Sequence, residues 1–264
     1  MIGAIIGDIA GSKYEFRNTF DYNFDMFPAG CGFTDDTICT VAVADAILRG
    51  VPYKDSLLSW CRRYPNPLGA YGATFGGWLR SPDPQPYDSF GNGAVMRVSP
   101  VGLAFRTEEE TAAQARMSAE CSHNHEEGLR GAEAIATAIY RLRITKDKDF
   151  VNDILGRYDG YKIPEHGQWD ETCQGCVPLA LKIFKKSVSF ENAIRFAVSY
   201  GGDSDTLAAV VGGLAEAYYG VPDALRAKAM SYLPGEMADV INKFYKRYGN
   251  EKIERKPEEA DKAV

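Results

Sequence analysis

Two short acidic segments contain the oxygen-bearing side chains best suited to chemistry. Thr34-Asp35-Asp36 lies near the start of the 264-residue chain, and Asp203-Ser204-Asp205-Thr206 lies near its end. Each segment places two carboxylates in one turn, where like charges repel unless a cation lies between them, and neither segment contains Lys or Arg. Carboxylate and hydroxyl oxygens suit Mg²⁺ or Mn²⁺, and paired carboxylates can hold two ions roughly 3.5–4 Å apart. The two segments together predict a binuclear metal site.

Helix capping is the alternative explanation for both segments. Apolar residues recur at near-helical spacing after each one, which predicts a helix beginning near Asp36 and another near Asp205. Thr, Ser and Asp are preferred N-cap residues, and carboxylates in a first turn interact favourably with the helix dipole. Capping needs only one acceptor, whereas each segment supplies two carboxylates. An EF-hand is excluded, because Leu207 and Leu214 occupy the positions of its turn glycine and final glutamate.

The rest of the sequence predicts an all-α fold that brings these segments together. Alternating strand patterns are almost absent, and segments rich in Ala, Gly and Leu predict helices. The predicted helices are 2–11, 36–49, 53–63, 93–105, 109–121, 126–143, 148–157, 172–185, 189–199, 205–219, 222–230 and 235–245. Because the acidic segments must meet in space, residues 1–245 are expected to form a single domain, followed by a charged, flexible tail at 246–264.

Composition and single residues narrow the possibilities further. The net charge is −6 with Lys and Arg scattered, so bulk nucleic-acid binding is not expected. The N-terminal segment lacks a basic leader and a long apolar run, so we expect a cytoplasmic protein without a membrane anchor. The six cysteines are interpreted as thiols. Gly212 and Gly213 interrupt a good helix at about 1 kcal/mol each, which predicts close approach of another helix.

Six motifs stand in a fixed order along the chain. They are Gly3–Gly11, Tyr14-Glu15, Thr34–Thr37, Phe90–Arg97, Ser122-His123 and Gly201–Thr206. In order and spacing they resemble the ADP-ribosylglycohydrolase family, which includes the bacterial enzyme that reactivates dinitrogenase reductase and the eukaryotic ADP-ribosylhydrolases. The resemblance runs from Met1 to about Gly220.

The resemblance implies a single-domain orthogonal multi-helix bundle whose cleft holds two Mg²⁺ ions, or Mn²⁺ in their place. The implied metal ligands are Thr34, Asp35, Asp36, Asp203, Asp205 and Thr206. Glu15 matches the mobile glutamate of the family, and Glu15, Asp35 and Asp36 are the implied catalytic carboxylates. Asp8, in the first glycine-rich helix, is interpreted as a structural group that must be paired if buried.

The resemblance also implies the residues that bind ADP-ribose. They are Gly72, Ser89, Phe90, Gly91, Asn92, Gly93, Met96 and His123. Backbone N–H groups of the 89–93 loop would meet the pyrophosphate, and Phe90 would stack on adenine or pack beside a ribose. Taken alone, Gly91-Asn92-Gly93 is a common turn, and His123-Asn124-His125 is a polar turn before a helix.

The implied activity is metal-dependent release of ADP-ribose by hydrolysis at C1″ of the distal ribose. The substrate would be an ADP-ribosylated protein or small-molecule conjugate, modified on arginine, serine or a related acceptor. Two alternatives remain open at this point: a catalytically silent ADP-ribose-binding module, and a metal-dependent nucleotide phosphohydrolase. The identity of the product distinguishes all three.

Overall fold

The structure is a computed structural model that describes residues 1–249. The described residues form fourteen α-helices and no β-strand, which confirms the all-α prediction. The helices are α1 (Ile2–Gly11), α2 (Asp35–Arg49), α3 (Tyr53–Arg63), α4 (Ala73–Arg80), α5 (Gly93–Met96), α6 (Ser99–Ala104), α7 (Glu108–Glu120), α8 (Glu126–Thr145), α9 (Val151–Gly156), α10 (Cys173–Lys186), α11 (Phe190–Tyr200), α12 (Ser204–Tyr219), α13 (Asp223–Met230) and α14 (Gly235–Tyr248). Among residues 1–249, no helix is both long enough and apolar enough to span a membrane.

Helices α1 and α12 pack with their backbones in direct contact at the centre of the molecule. A Cβ atom at Gly7 would lie 2.0 Å from the Ala208 carbonyl oxygen, and one at Gly212 would lie 2.1 Å from the Gly3 carbonyl oxygen. Only glycine fits at such a distance, so the helix-weakening glycines are offset by close packing. The close approach predicted from Gly212 is confirmed.

This packing brings the two acidic segments to the same place. At the C-terminal end of α1, a Cβ at Gly11 would lie 2.4 Å from the Asp205 Cα, so the first turn of α12 rests on α1. Asp8, one turn earlier on α1, accepts hydrogen bonds from the Thr34 N–H at 3.0 Å and the Thr37 N–H at 3.1 Å. The N-termini of α2 and α12 are therefore both fixed to the end of α1.

Two helices differ from the sequence prediction. The helix predicted at 93–105 is divided into α5 and α6, because Pro100 cannot donate a backbone hydrogen bond to the preceding turn. Helix α4 lies partly in a segment predicted to be a loop; its Gly76 and Gly77 lower helix propensity, but burial of Phe75 and Trp78 compensates.

The C-terminal helix and the cysteines can be compared with the predicted domain boundary and the predicted free thiols. Helix α14 continues to Tyr248, beyond the predicted domain boundary at 245, and residues 250–264 of the predicted tail lie outside the described residues. All six cysteines are free, as interpreted from the sequence. Cys39 on α2 and Cys61 on α3 have their Sγ atoms 3.7 Å apart in the core.

Candidate active site

A cleft of about 280 Å³ opens where the N-termini of α2, α4 and α12 converge. One end is acidic, and the other end is formed by aromatic side chains, the 89–93 loop and His123. The acidic end is lined by Glu15, Asp35, Asp36, Asp203, Asp205 and Thr206. The structure thus places five carboxyl groups from residues up to 190 positions apart in the sequence (205 − 15) around one cavity.

Several carboxylate oxygens at this end have too few hydrogen-bond donors. Thr206 Oγ1 donates to Asp36 Oδ2 at 3.0 Å, and Asn92 Nδ2 donates to Asp203 Oδ2 at 2.6 Å. Asp36 Oδ1 and Asp205 Oδ1 are buried and have no hydrogen-bond partner among the described residues. A buried carboxylate oxygen without a partner is costly, so these two atoms point to a missing cation or proton.

The electrostatics of the cluster lead to the same conclusion. Burial raises the pKa of Asp35, Asp36 and Asp205 well above the usual range, and repulsion from neighbouring carboxylates adds to the effect. Burial, followed by the charge of Asp203, raises the pKa of Glu15 to about 8. Without a cation, the acidic end therefore retains protons at neutral pH.

The donor set fits divalent cations that bind oxygen. Asp35, Asp36, Asp203 and Asp205 provide carboxylates, and Thr206 provides a hydroxyl, with no sulfur or nitrogen ligand beside them. Within residues 1–249, no three His, Cys, Asp or Glu side chains converge tightly enough to hold an ion by themselves. An ion would need the hydroxyl and water as further ligands, which suits Mg²⁺ because it usually keeps several waters.

Thr34, the remaining predicted ligand, does not line the cleft. Its Oγ1 donates to Asp8 Oδ1 at 2.8 Å and accepts from the Asp36 N–H at 3.2 Å, which makes it the N-cap of α2. The Thr37 hydroxyl also donates to Asp8, so Asp8 holds the first turn of α2 by four hydrogen bonds. Burial raises the pKa of Asp8 to about 6, although the hydrogen bonds from Thr34 and Thr37 act to lower it. Asp8 therefore has the structural role expected from the sequence.

Glu15 lies on the loop after α1 and is half-buried between Gly69 and the acidic cluster. A Cβ at Gly69 would lie 2.6 Å from Glu15 Oε2, so the glycine makes room for the carboxyl group. Asn18 ties this loop to the start of α12: its side chain donates to the Gly202 carbonyl and accepts from the Gly202 N–H, both at 2.9 Å. Nothing in the sequence singled out Asn18, because its partner lies 184 positions away.

The 89–93 loop forms one wall of the cleft. It is held from behind by α10 and the segment before it, because the Asn92 N–H donates to the Glu171 carbonyl at 2.6 Å and the Cys173 N–H donates to the Phe90 carbonyl at 2.9 Å. His123 packs against the loop, with its Nε2 only 2.8 Å from the position a Cβ would take at Gly93. Gly93 is therefore required for the histidine to fit.

Most predicted ligand-binding residues line this cleft, and one does not. Gly72, Ser89, Gly91, Asn92, Gly93, Met96 and His123 are lining residues. The side chain of Phe90 instead turns outward and contacts His125 edge to face, with ring centroids 5.3 Å apart. The aromatic rings that do line this end of the cleft are Tyr71, Phe75 and Tyr87.

Besides these rings, four charged or aromatic lining residues are not assigned to the site by the sequence: Phe16, Arg97, Trp169 and Glu171. Arg97 is completely buried beside His123, although it belongs to the Phe90–Arg97 motif. Phe16 and Trp169 stack at the mouth of the acidic end, with ring centroids 5.7 Å apart, and the Trp169 indole N–H donates to Glu171 Oε1 at 2.7 Å. Adjacency of Phe16 to Glu15 was the only available signal for these aromatic and acidic mouth residues.

Known proteins are similar to this chain in sequence and in fold. Residues 1–254 match the sequence model of a family described as ADP-ribosylglycohydrolase. ADP-ribosylhydrolase ARH3 of Bos taurus is 23% identical over an alignment that covers 91% of this chain and 89% of that protein. ADP-ribosylarginine hydrolase Tri1 of Pseudomonas putida is 25% identical, covering 84% of this chain and 70% of that protein. A solved structure of an ADP-ribosylglycohydrolase-related protein complex superposes with a TM-score of 0.69 at 25% identity, covering 94% of this chain and 97% of the other.

Proposed function

The chain belongs to the ADP-ribosylglycohydrolase family and is a glycosyl-bond hydrolase, and from the chemistry of its cleft we propose the reaction that it catalyses. It releases ADP-ribose from a mono-ADP-ribosylated acceptor by hydrolysing the glycosidic bond at C1″ of the distal ribose. The reaction depends on two Mg²⁺ ions, for which Mn²⁺ can substitute. The preferred acceptor is the guanidinium group of arginine.

One observation carries this proposal. The N-termini of α2 and α12 direct two carboxylates each into one end of the cleft, and Asp36 Oδ1 and Asp205 Oδ1 are buried there without a hydrogen-bond partner. Capping explains Thr34, but it does not explain these two oxygens. Asp35, Asp36, Asp203, Asp205 and Thr206 would hold the ions, which supply electrostatic stabilisation and polarise water for attack.

The protein's own groups divide the remaining work. Glycosidic cleavage passes through an oxocarbenium-like state and needs a group that protonates the leaving atom. Glu15 is the candidate for that role because its carboxyl group is half-buried at the mouth of the acidic end. Burial is the largest cause of its raised pKa, and burial favours the protonated form independently of the neighbouring charges. Asn18 keeps the Glu15 loop next to Gly202 and so positions this carboxyl group.

The other end of the cleft suits the rest of ADP-ribose. Helix α4 begins at Gly72 without a side-chain cap, so the N–H groups of its first turn face the cleft and are free for the pyrophosphate. A Cβ at Gly72 would meet no protein atom within 4 Å, so packing does not require this glycine. Room for close approach of a ligand does explain it. Adenine would pack among Tyr71, Phe75 and Tyr87.

The mouth of the acidic end favours a cationic acceptor. The stacked rings of Phe16 and Trp169 are 72% and 42% exposed, and they stand beside the carboxylate of Glu171. Aromatic faces combined with carboxylates attract a guanidinium group, whereas the uncharged oxygen of a serine linkage offers no cation for them to bind. The Pseudomonas putida relative, Tri1, is an ADP-ribosylarginine hydrolase, which is in line with this choice.

Mass spectrometry of the released product tests the proposal. The protein is incubated with arginine-modified and serine-modified peptides, each with Mg²⁺ and with a chelator, beside the Asp36→Asn variant. We expect free ADP-ribose from the arginine peptide only when metal is present and Asp36 is intact. Equal release in chelator would contradict the metal assignment, and preference for the serine peptide would contradict the acceptor assignment.

The same experiment addresses the two alternative functions. Tight binding of ADP-ribose with no release from either peptide would identify a silent binding module. AMP or phosphate as the product would identify a nucleotide phosphohydrolase. Either result would overturn the proposed reaction.

A further inference from the structure

Three buried polar side chains form a chain of hydrogen bonds behind the 89–93 loop. The guanidinium of Arg97 donates from Nη2 to the Ser122 Oγ at 2.9 Å and to the Ser118 carbonyl at 3.2 Å. The Ser122 Oγ lies 2.8 Å from His123 Nδ1. Arg97 and Ser122 are fully buried and His123 is nearly so, so water cannot replace any of these bonds.

The donors and acceptors present determine the direction of the hydrogen bond between Ser122 Oγ and His123 Nδ1. An arginine side chain only donates, so Ser122 Oγ accepts from Arg97. If His123 Nδ1 carried a proton and donated, the hydroxyl proton of Ser122 would have only the sulfur of Cys121, a weak acceptor, to bond to. The proton reaches a strong acceptor only if the Ser122 hydroxyl donates to His123 Nδ1. His123 Nδ1 is then an acceptor, and the ring proton must be on Nε2.

The second ring nitrogen faces the ligand end of the cleft. His123 lines the cleft, and its Nε2 lies 2.8 Å from the Cβ position of Gly93 and 3.7 Å from that of Gly91. The Nε2 atom therefore stands at the 89–93 loop, where it can act only as a donor. An oxygen atom of a ligand lying along the loop could accept this hydrogen bond from Nε2.

Charge keeps the histidine neutral. Burial, together with repulsion from the guanidinium of Arg97, holds the pKa of His123 well below its usual range. Protonation would also place a proton on Nδ1, against the hydrogen bond from Ser122. Arg97 thus opposes the imidazolium form and also orients the hydroxyl that fixes the neutral tautomer.

We propose that Arg97 and Ser122 are positioning residues that hold His123 as the neutral Nε2–H tautomer, which donates a hydrogen bond to an oxygen of bound ADP-ribose. The tautomer follows from the hydrogen bonds alone. The statement that the acceptor oxygen belongs to ADP-ribose rests on the proposed function. The two parts are tested separately.

The tautomer is measured in the free protein. Long-range ¹H–¹⁵N correlation spectra of protein labelled with ¹⁵N-histidine distinguish the Nε2–H, Nδ1–H and doubly protonated forms, and a His123→Gln variant assigns the signals among the three histidines. We expect His123 as Nε2–H at pH 7 and still neutral at pH 5.5. A pure Nδ1–H tautomer, or imidazolium at pH 5.5, would overturn the proposal without any need for a variant that folds poorly.

Titration calorimetry with ADP-ribose tests whether His123 Nε2–H donates to the bound ligand. Ser122→Ala should release both tautomers in the spectrum and weaken binding by about tenfold, the effect of one well-aligned hydrogen bond. Ser122→Thr, which keeps the hydroxyl, should restore the wild-type tautomer. Ser118→Ala is the matched control, because it removes a hydroxyl bonded only to Ala115 and keeps the carbonyl that Arg97 uses.

The outcomes separate this inference from the proposed function. Unchanged affinity in Ser122→Ala, with a mixed tautomer, would refute the ligand contact and leave the hydrolase proposal intact. Failure of the wild type to bind ADP-ribose would refute the ligand contact and the proposed function together, while the tautomer spectrum would stand as a property of the free protein.

Discussion

The two ends of the cleft satisfy their buried polar groups in opposite ways. At the His123 end, Arg97, Ser122 and His123 form a continuous chain in which Ser122 Oγ and His123 Nδ1 have internal partners and only Arg97 Nε is buried without one among the described residues. At the acidic end, Asp36 Oδ1 and Asp205 Oδ1 have none, and carboxylates face one another. Asp36 and Asp205 are buried to the same extent as His123, so burial does not cause the difference between these groups.

The difference shows which end depends on something that the chain does not supply. A satisfied network stabilises one arrangement of side chains, whereas a half-satisfied one raises the free energy of the fold. The acidic end is tolerated because α1 fixes α2 and α12 through Asp8 and through the contact between Gly11 and Asp205. The fold therefore bears the cost of a preorganised site, and a cation relieves that cost.

Among the variants considered, Asp205→Asn should have the largest effect on the acidic end. Losing this carboxylate should reduce turnover by roughly a thousandfold or more, since the metal pair loses a charged ligand. In chelator at pH 8.5, the same variant should melt at a higher temperature than the wild type, because it removes a buried carboxyl group whose charged form is opposed by burial and by Asp203 and Asp36. Activity assays and thermal melts with and without Mg²⁺ measure both effects.

The control for Asp205→Asn is Asp239→Asn, which makes the same chemical change at an exposed position of α14. It should change neither turnover nor the melting temperature in chelator. An Asp205→Asn variant that keeps full activity, or that melts lower than the wild type in chelator, would contradict the view that this end lacks a cation.

The two ends should also respond oppositely to pH. Carboxyl groups whose folded pKa is raised bind more protons in the folded state, so their contribution to stability is lost as pH rises from about 4 through the folded pKa, which is about 8 for Glu15. His123 has a lowered pKa, so it contributes instability only as pH falls below about 6.5. Without metal, the melting temperature should fall between pH 6.5 and 8.5.

Mg²⁺ is the control for that pH profile. Because a cation replaces the protons of the cluster, added Mg²⁺ should raise the melting temperature more at pH 8.5 than at pH 6.5. If the melting temperature without metal rose with pH over this interval, the result would contradict a cluster of buried, protonated carboxyl groups.

The acidic end could be predicted from the sequence because its signal is local. Each segment is a few residues long and stands at a helix start, and the resemblance to a family assigned the same residues. Asp35, Asp36, Asp203, Asp205 and Thr206 all line the cleft. The role of Thr34 as a ligand stays a prediction; in the structure its hydroxyl donates to Asp8, a contact that no local pattern reveals.

The surroundings of the site could not be predicted in this way, because they depend on contacts between distant residues. Asn18 reaches Gly202, and Trp169 reaches Phe16, only after the helices have packed. Helix α4 was missed because glycines lower its propensity, and its stability comes from burial of Phe75 and Trp78. Sequence alone also cannot tell toward which side of a loop Phe90 turns.

The mouth of the acidic end can be tested through the acceptor. Trp169→Ala and Glu171→Gln should each lower kcat/KM for an arginine-linked substrate by about tenfold, because each removes part of the site for a cationic group. The affinity for free ADP-ribose should stay within about twofold, since ADP-ribose has no acceptor side chain.

The matched control is Glu165→Gln, an exposed glutamate in the same segment that does not line the cleft. It should leave kcat/KM unchanged. Equal losses of arginine-linked and serine-linked turnover in Glu171→Gln would indicate that Glu171 acts on the shared ADP-ribose portion of the substrate and would refute its role in choosing the acceptor.

Helix α4 allows a test that separates ligand approach from folding. A methyl group at Gly72 meets no protein atom within 4 Å, so Gly72→Ala should change stability by no more than about 1 kcal/mol. It should still weaken ADP-ribose binding by roughly tenfold, because the methyl group stands where the phosphate approaches the helix N-terminus. Calorimetric titration and thermal melts measure the two quantities.

Gly77→Ala is the control on the same helix, because a Cβ there also meets no protein atom and Gly77 does not line the cleft. It should stabilise α4 by about 0.5–1 kcal/mol and leave affinity unchanged. Weaker binding in both variants would mean that α4 geometry, not ligand approach at Gly72, controls affinity.

The smallest expected effect comes from Phe90, and it tests the geometry most strictly. Phe90→Leu should change ADP-ribose affinity by less than about twofold, since the ring is 43% exposed and contacts His125 outside the cleft. Phe75→Leu, which alters a buried ring that lines the cleft and lies 6.4 Å from the His123 ring, should weaken binding more. If Phe90→Leu has the larger effect, the loop must turn inward when ligand binds. The His123 end would then rearrange when ligand binds, and only the need for a metal would still distinguish the acidic end from it.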